Sequence, residues 1–250
     1  MIKILLTGAT GAMGKTVASL CQEEENMEIV AGIGLDSTGD EGFKVYQNLG
    51  EVREEVDVVI DFSSTKLLDD ILSFAKEKKT ALVLATTGYS EEDFAKIEAF
   101  SKEVAIVQSG NMGVGINVIE KVVEELAKTL QGFDIEIVEK HHNKKKDAPS
   151  GTAEMLYKAA DRGRGGSTHA VRGRAGMSEG RDENEIGIQA VRGGTITGEH
   201  DVIFAGLDEV ITVSHHAQSK KIFATGALKA AEFLVDKEAG RYDMHDVLGI

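Results

Sequence analysis

Between residues 2 and 107, short runs of aliphatic and β-branched residues alternate with stretches whose apolar residues recur at helical spacing. No other feature limits the fold so strongly. The runs lie at 2–6, 28–33, 57–60, 81–85 and 104–107, and the helical stretches at 12–25, 67–78 and 91–101. Such succession builds βαβ units, and βαβ units build parallel sheets. A run such as Asp57-Val58-Val59-Ile60 is apolar on both sides beyond its first residue, which predicts a strand covered by helices on both faces. The first half is therefore expected to be α/β, a Rossmann-like doubly wound parallel sheet.

After a helical stretch at 114–130 the texture changes. Strand-like runs follow at 135–139, 186–191, 201–205 and 210–215, with helical spacing only near 153–160. Strands without helices between them predict a second, α+β domain built on a mixed sheet. Residues 162–182 hold Arg-Gly-Arg-Gly-Gly and Arg-Gly-Arg-Ala-Gly with few apolar residues, and are expected to form a flexible loop rather than a glycine-arginine RNA-binding tract. Residues 220–236 regain helical spacing and are expected to pack back on the first domain. The division follows as 1–112 with 220–250 for the first domain, and 113–219 for the second. Pro149 is the only proline, so hinges fall to glycines such as Gly110, Gly113 and Gly115.

Composition removes several classes of function. A net charge of −14 repels polyanions and argues against nucleic acid or anionic membranes as partners. No apolar run approaches the length of a membrane span, and Met1-Ile-Lys-Ile-Leu-Leu lacks the parts of a signal peptide, so a cytoplasmic location is expected. The single cysteine, Cys21, excludes an internal disulfide and lies within a helical apolar pattern, as a core thiol would.

The first run leads into Thr7-Gly8-Ala9-Thr10-Gly11-Ala12-Met13-Gly14-Lys15 and then a helix. Glycines here permit a tight turn and let backbone N–H groups approach a pyrophosphate at the positive end of the helix. The candidate cofactor contacts are thus Gly8, Ala9, Thr10, Gly11, Ala12 and Met13, though Thr10 stands where a second glycine is usual. Asp36, 22 residues beyond Gly14, is the candidate ribose ligand; no arginine follows it to meet a 2′-phosphate, so NADH is favoured over NADPH. Two further loops end parallel strands, where this architecture binds ligands: Ala85-Thr86-Thr87-Gly88 and Ser109-Gly110-Asn111-Met112-Gly113.

The chemistry is concentrated elsewhere. Lys140-His141-His142-Asn143-Lys144-Lys145-Lys146 places four lysines and two histidines in seven residues of an acidic chain, followed by Asp147-Ala148-Pro149-Ser150-Gly151-Thr152 before a helix. Histidine titrates near neutrality and lysine offers a fixed cation. Ser150 is placed to cap the helix, whose free N–H groups favour a carboxylate. A zinc site is not indicated: adjacent histidines on a strand point to opposite faces, and neither H-E-x-x-H nor a second cysteine occurs. The ligand expected is a small carboxylate, and the local field is one that a dianion would need.

The run from Glu139 to Thr152 resembles the signature E-x-H-H-x-x-K-x-D-A-P-S-G-T of the 4-hydroxy-tetrahydrodipicolinate reductase (dihydrodipicolinate reductase) family. Further matches follow in order: the glycine turn, Asp61-Phe62-Ser63, Ala85-Thr86-Thr87-Gly88, Asn111 to Asn117, Val191-Arg192-Gly193-Gly194 and Gly198-Glu199-His200. The resemblance spans nearly the whole chain. It implies an NAD(P)H-dependent reductase of lysine and diaminopimelate synthesis. In that reading His141 exchanges the proton, Lys145 is a second acid, and His142, Ser150, Gly151 and Thr152 hold the substrate carboxylates. It also implies cofactor contacts at Ala85, Thr86, Thr87, Ser109, Gly110, Asn111 and Met112, hydride transfer to ring C4, and a homotetramer. The chain departs from the family pattern at Gly34, where many members carry an acidic ribose ligand, and at Ala12, where some carry arginine. Residues 162–182 align with nothing and carry no implied role.

Two rivals share parts of this pattern. Thr7-Gly-Ala-Thr-Gly11 also opens extended short-chain reductases, but none of Tyr46, Tyr89, Tyr157 and Tyr242 has the required lysine four residues on. A catalytically silent dinucleotide sensor would share the glycine turn but has no need of His141 and Lys145; NADH oxidation separates the two.

Overall fold

The computed structural model describes residues 1–37, 39–177 and 180–250. In chain order the first elements are β1 (Ile2–Thr7), α1 (Ala12–Cys21), β2 (Met27–Ile33), β3 (Lys44–Tyr46), β4 (Val58–Asp61), α2 (Leu68–Lys78), β5 (Ala81–Leu84), α3 (Glu91–Phe100) and β6 (Ala105–Gln108). There follow α4 (Val114–Thr129), β7 (Asp134–His141), α5 (Gly151–Gly163), β8 (His169–Arg172), β9 (Glu185–Arg192), β10 (Glu199–Gly206) and β11 (Glu209–His216). The chain closes with α6 (Lys221–Leu234), β12 (Gly240–Tyr242) and α7 (Met244–Leu248). It divides into two units, Met1–Val114 with Lys220–Ile250, and Gly115–Ser219.

The first unit holds a seven-stranded parallel sheet in the order β12-β6-β5-β4-β1-β2-β3. Successive residues of each central strand enter opposite cores. Ile4, Leu6, Val58, Ile60, Val83 and Val107 pack on the side of α1 and α6, whereas Leu5, Val59, Leu82, Leu84 and Ile106 pack on the side of α2 and α3. This double burial accounts for the absence of a polar face in the runs. Cys21 is buried in the first of these cores, and burial pushes its thiol up to about 11. Helix α1 stops at Cys21, four residues before the helical spacing suggests, where Gln22-Glu23-Glu24-Glu25 has nothing apolar to bury. Strands β3 and β12 were not evident from the sequence; each has three residues and gains its place by pairing at a sheet edge.

The second unit holds a mixed five-stranded sheet, β11-β10-β7-β9-β8, antiparallel from β11 to β7 and parallel from β7 to β8. Apolar residues of α4 and α5 cover one face, meeting Ile135, Ile137, Ile186, Ile188, Val202 and Phe204. Alternate residues of β7 are buried, and the buried row continues past Ile135 and Ile137 to Glu139 and His141. A strand whose core face ends in a carboxylate and an imidazole must satisfy both there.

The flexible loop expected at 162–182 is instead largely fixed. Residues 162 and 163 finish α5, β8 pairs in parallel with β9, and Arg174 and Arg181 both bind the Glu136 carboxylate, with Arg174 donating at 2.7 and 2.8 Å. Glu185 joins the same cluster. Ser178 and Glu179, within that stretch, lie outside the described residues.

Candidate active site

At the end of β7, Glu139 is wholly buried and its carboxylate is saturated with donors. Arg192, at the end of β9, donates Nη2 to Oε1 and Nη1 to Oε2, both at 2.7 Å. The Ser150 backbone N–H adds a bond to Oε1 at 3.0 Å, and His141 Nδ1 lies 2.7 Å from Oε2. Burial alone would raise the pKa of this carboxyl, but its bonds to Arg192, His141 and Ser150 outweigh burial and hold it below its ordinary value. An ionised carboxylate only accepts, so His141 Nδ1 is the nitrogen that carries hydrogen. Nε2 is then left free for chemistry and has no hydrogen bond among the described residues. Gly198 keeps its approach clear, since a Cβ there would start 3.1 Å from Nε2.

His200 lies opposite Glu139 in the β10–β7 register and completes the cluster. Its ring meets that of His141 edge-on, with centroids 5.2 Å apart, and its Nε2 lies 3.0 Å from Ser150 Oγ. Ser150 Oγ accepts from the Ala153 N–H at 3.2 Å and so caps α5, as its position in the sequence predicts. Burial, reinforced by the neighbouring His141, lowers His200 to about 4, so this imidazole is neutral at physiological pH.

The lysines of the basic segment do not act as one island. Lys140 points away from the buried row and pairs with Glu199 at 3.1 Å and Asp201 at 3.2 Å. Lys145 lies 2.9 Å from Asp147, whose pKa it lowers. Lys144 and Lys146 are exposed, and His142 is half-buried. Gly151 is exposed, with nothing within 4 Å of where a Cβ would stand, and Thr152 is half-buried behind it. The structure thus gathers Glu139, His141, Ser150 and the start of α5, and adds Arg192 and His200, to which the sequence reading gave no role. Both lie in short motifs already noted for their resemblance. The signal that finds them is the period-2 alternation of β9 and β10, once the register with β7 is known.

The carboxyl ends of the parallel strands form a second cluster in the first unit. Gly8 has φ +74, and a Cβ there would lie 2.5 Å from the Phe62 carbonyl oxygen; at Gly14 it would lie 2.2 Å from that of Gly8. Both glycines are therefore required by close backbone approach. Gly11 precedes α1, which has neither a side-chain cap nor an acidic residue in its first turn, leaving its positive end open to an anion. Below the turn, buried Asp61 accepts from Thr7 Oγ1 and Ser63 Oγ at 2.5 Å, and from Tyr89 OH at 3.2 Å. Burial, then Asp61, pushes the Tyr89 phenol above its ordinary range, so it remains a donor.

Of the other expected cofactor contacts, Ala85 and Thr86 are buried and Thr87 is exposed. Thr86 Oγ1 is buried with no hydrogen-bond partner among the described residues. Ser109 Oγ and Asn111 Oδ1 shape their own turn, accepting from the N–H groups of Asn111 and Gly113. Gly110 is exposed, but the Met112 side chain belongs to the core. Met112 as a whole is buried, with its carbonyl packed against Gly226. Asp36 is exposed, three residues beyond the end of β2.

The model for the N-terminus of dihydrodipicolinate reductase matches residues 2–112, and that for its C-terminus matches residues 115–248. A protein of Caldanaerobacter subterraneus subsp. tengcongensis named 4-hydroxy-tetrahydrodipicolinate reductase is 52% identical over 248 residues, covering 99% of this chain and 98% of its own. One of the same name from Clostridium tetani is 45% identical over 249 residues, covering 99% and 97%. Among solved structures, dipicolinate-bound dihydrodipicolinate reductase from Paenisporosarcina sp. TG-14 aligns with a TM-score of 0.81 over 97% of each chain at 22% identity, a likeness of fold.

Proposed function

The chain belongs to the dihydrodipicolinate reductase family, NAD(P)H-dependent oxidoreductases that reduce the dihydrodipicolinate intermediate of lysine biosynthesis, and on that premise we propose how its residues divide the work. His141 delivers a proton from Nε2 to the ring carbon next to C4, with Nδ1 anchored on Glu139. Lys145 is the second acid, released from Asp147 as the anionic substrate arrives. His142 with Ser150, Gly151 and Thr152 receives the two carboxylates, using the positive end of α5. The observation that carries this reading is the His141–Glu139 contact at 2.7 Å, which leaves Nε2 as the working atom beside the capped start of α5.

We place the cofactor along Gly8, Ala9, Thr10, Gly11, Ala12 and Met13, with Ala85, Thr86, Thr87, Ser109, Gly110, Asn111 and Met112. The open end of α1, the two side-chain-free glycines and the unpartnered Thr86 hydroxyl suit a dinucleotide. When bound, the reduced nicotinamide supplies the hydride that becomes the new bond at ring C4. The preference for NADH rests on Asp36 as ribose ligand and on the lack of an arginine after β2. Residues 1–112 with 220–250 form the dinucleotide-binding part in this reading, and 113–219 the substrate and oligomerisation part. Assembly as a homotetramer through the second unit is part of the same reading. No described helix is long and apolar enough to cross a membrane, and a cytoplasmic location belongs to the same reading.

His141→Ala tests the assignment. It should lower kcat by about 10²- to 10⁴-fold while the cofactor Kd is kept, and an unchanged kcat would refute it. Pyridine-2,6-dicarboxylate should compete with substrate, and a Ser150→Ala variant should bind it more weakly; absence of competition at millimolar concentration counts against the dicarboxylate site.

A further inference from the structure

We propose that Arg192 is a positioning residue that works through Glu139: its guanidinium neutralises the carboxylate, so that His141 is oriented by Glu139 without being locked in its charged form. The inference rests on the reading of His141 as the proton donor.

The geometry of the carboxylate leads to it. Each oxygen of Glu139 takes one bond from the Arg192 fork and one other, Ser150 N–H on Oε1 and His141 Nδ1 on Oε2. A carboxylate held in this way is fully used. It fixes the imidazole ring and its tautomer, yet its charge is already matched by a cation that cannot lose its proton. Without the guanidinium, the wholly buried carboxylate would keep only the Ser150 N–H and the imidazole, and protonated His141 would be the cation in direct contact with it. The acid would then hold the proton it has to give.

The other groups facing His141 leave this control to Arg192. On β10, His200 meets the ring edge-on and is neutral at physiological pH. In the loop after β7, the Lys145 ammonium is paired with Asp147. His215, opposite His200 on β11, has its pKa lowered by burial and by His216. Beyond the electrostatics, Arg192 Nη2 also donates to the Asp147 carbonyl at 2.7 Å. One side chain therefore ties the acid to the loop that carries Lys145, and its loss should have two separable consequences.

The test is an NMR titration of the His141 imidazole, assigned by its disappearance in His141→Ala, together with the pH dependence of kcat/KM. In Arg192→Gln the His141 midpoint should rise by roughly one to two pH units, and the alkaline limb of the rate profile should move with it. In Glu139→Gln the midpoint should fall, and the Nδ1–H tautomer should lose its dominance. The double variant, with both charges gone, should titrate closer to the parent than either single variant. Arg192→Lys should restore the midpoint but not the bond to the Asp147 carbonyl, so that KM rises several-fold more than kcat falls.

If Arg192→Gln leaves the midpoint and the alkaline limb in place, and activity is lost only in proportion to folded protein by circular dichroism, the side chain is merely structural and the proposal is wrong. If that variant does not fold, the double variant, in which neither buried charge is left without its partner, carries the test. A His141→Ala enzyme with full kcat would instead refute the proton-donor reading, while the titration of the parent imidazole would still report on its coupling to Arg192.

Discussion

A Cβ at position 34 would start 2.6 Å from Thr10 Cγ2 and 2.7 Å from its Oγ1. Residue 34 immediately follows β2, about 20 residues beyond the glycine turn, where doubly wound nucleotide-binding sheets place a ribose-reading carboxylate. Thr10 is β-branched and stiff about χ1, so it cannot swing aside at little cost. The threonine in the glycine turn and the glycine after β2 are thus one feature: the first fills the space that the second leaves. The consequence is non-additive. Gly34→Glu alone should weaken NADH binding by roughly tenfold or more, because the new side chain displaces the turn. Thr10→Gly with Gly34→Glu should recover binding and shift it towards NADH over NADPH. Equilibrium fluorescence titration with both dinucleotides measures this, and equal losses in the single and double variants would show that the two positions are not coupled.

Among the elements, β7, β10 and the start of α5 carry the titratable core of the second unit, and its acid stability follows from them. His200 is expected to titrate at about 6.5 when unfolded and is lowered to about 4 when folded. Between those values the unfolded chain binds the extra proton, so stability falls as pH drops through this window, by up to ~1.4 kcal/mol per pH unit. Glu139, whose folded pKa is also depressed, extends the loss further into acid. His200→Gln, which can still bond Ser150, should flatten the dependence of Tm on pH between about 6.5 and 4 without removing the loss below it; an unaltered slope would place its origin elsewhere.

The same elements explain what could be read from the sequence. His141, Lys145 and the turn at Ser150 stand within ten residues and needed only inspection. Arg192 and His200 lie fifty residues or more from the side chains they bind, and only the register of β9 and β10 on β7 brings them in. The two-face burial of β1, β4, β5 and β6 was evident because it empties the strands of polar residues. Strand β8 was not, because its order comes from pairing with β9, and the arginines beyond it are fixed by Glu136 of another strand.

For the whole molecule, the main constraint is that its first sheet is completed by its last segment. One core of the parallel sheet contains Ala224, Ala227, Leu228, Ala230, Ala231 and Leu234 of α6, packed against strands laid down within the first 108 residues. The approach is closest at Gly226, where a Cβ would lie 1.7 Å from the Met112 carbonyl oxygen. In the second unit, Gly163 of α5 plays a comparable part, with a Cβ position 2.3 Å from the Glu124 carbonyl oxygen of α4. Neither obstacle is a flexible side-chain tip, so alanine at either position should cost at least the ~1–3 kcal/mol typical of overpacking. The cores are built from separate residues, and the damage should therefore be local. Gly226→Ala should speed hydrogen exchange in β6, the loop after it and α6, and weaken NADH binding. Gly163→Ala should speed exchange in α4 and α5 and weaken binding of pyridine-2,6-dicarboxylate. Mass-spectrometric exchange on the intact chain distinguishes the cases, and deprotection spread equally over both units by either substitution would show that the cores fold as one.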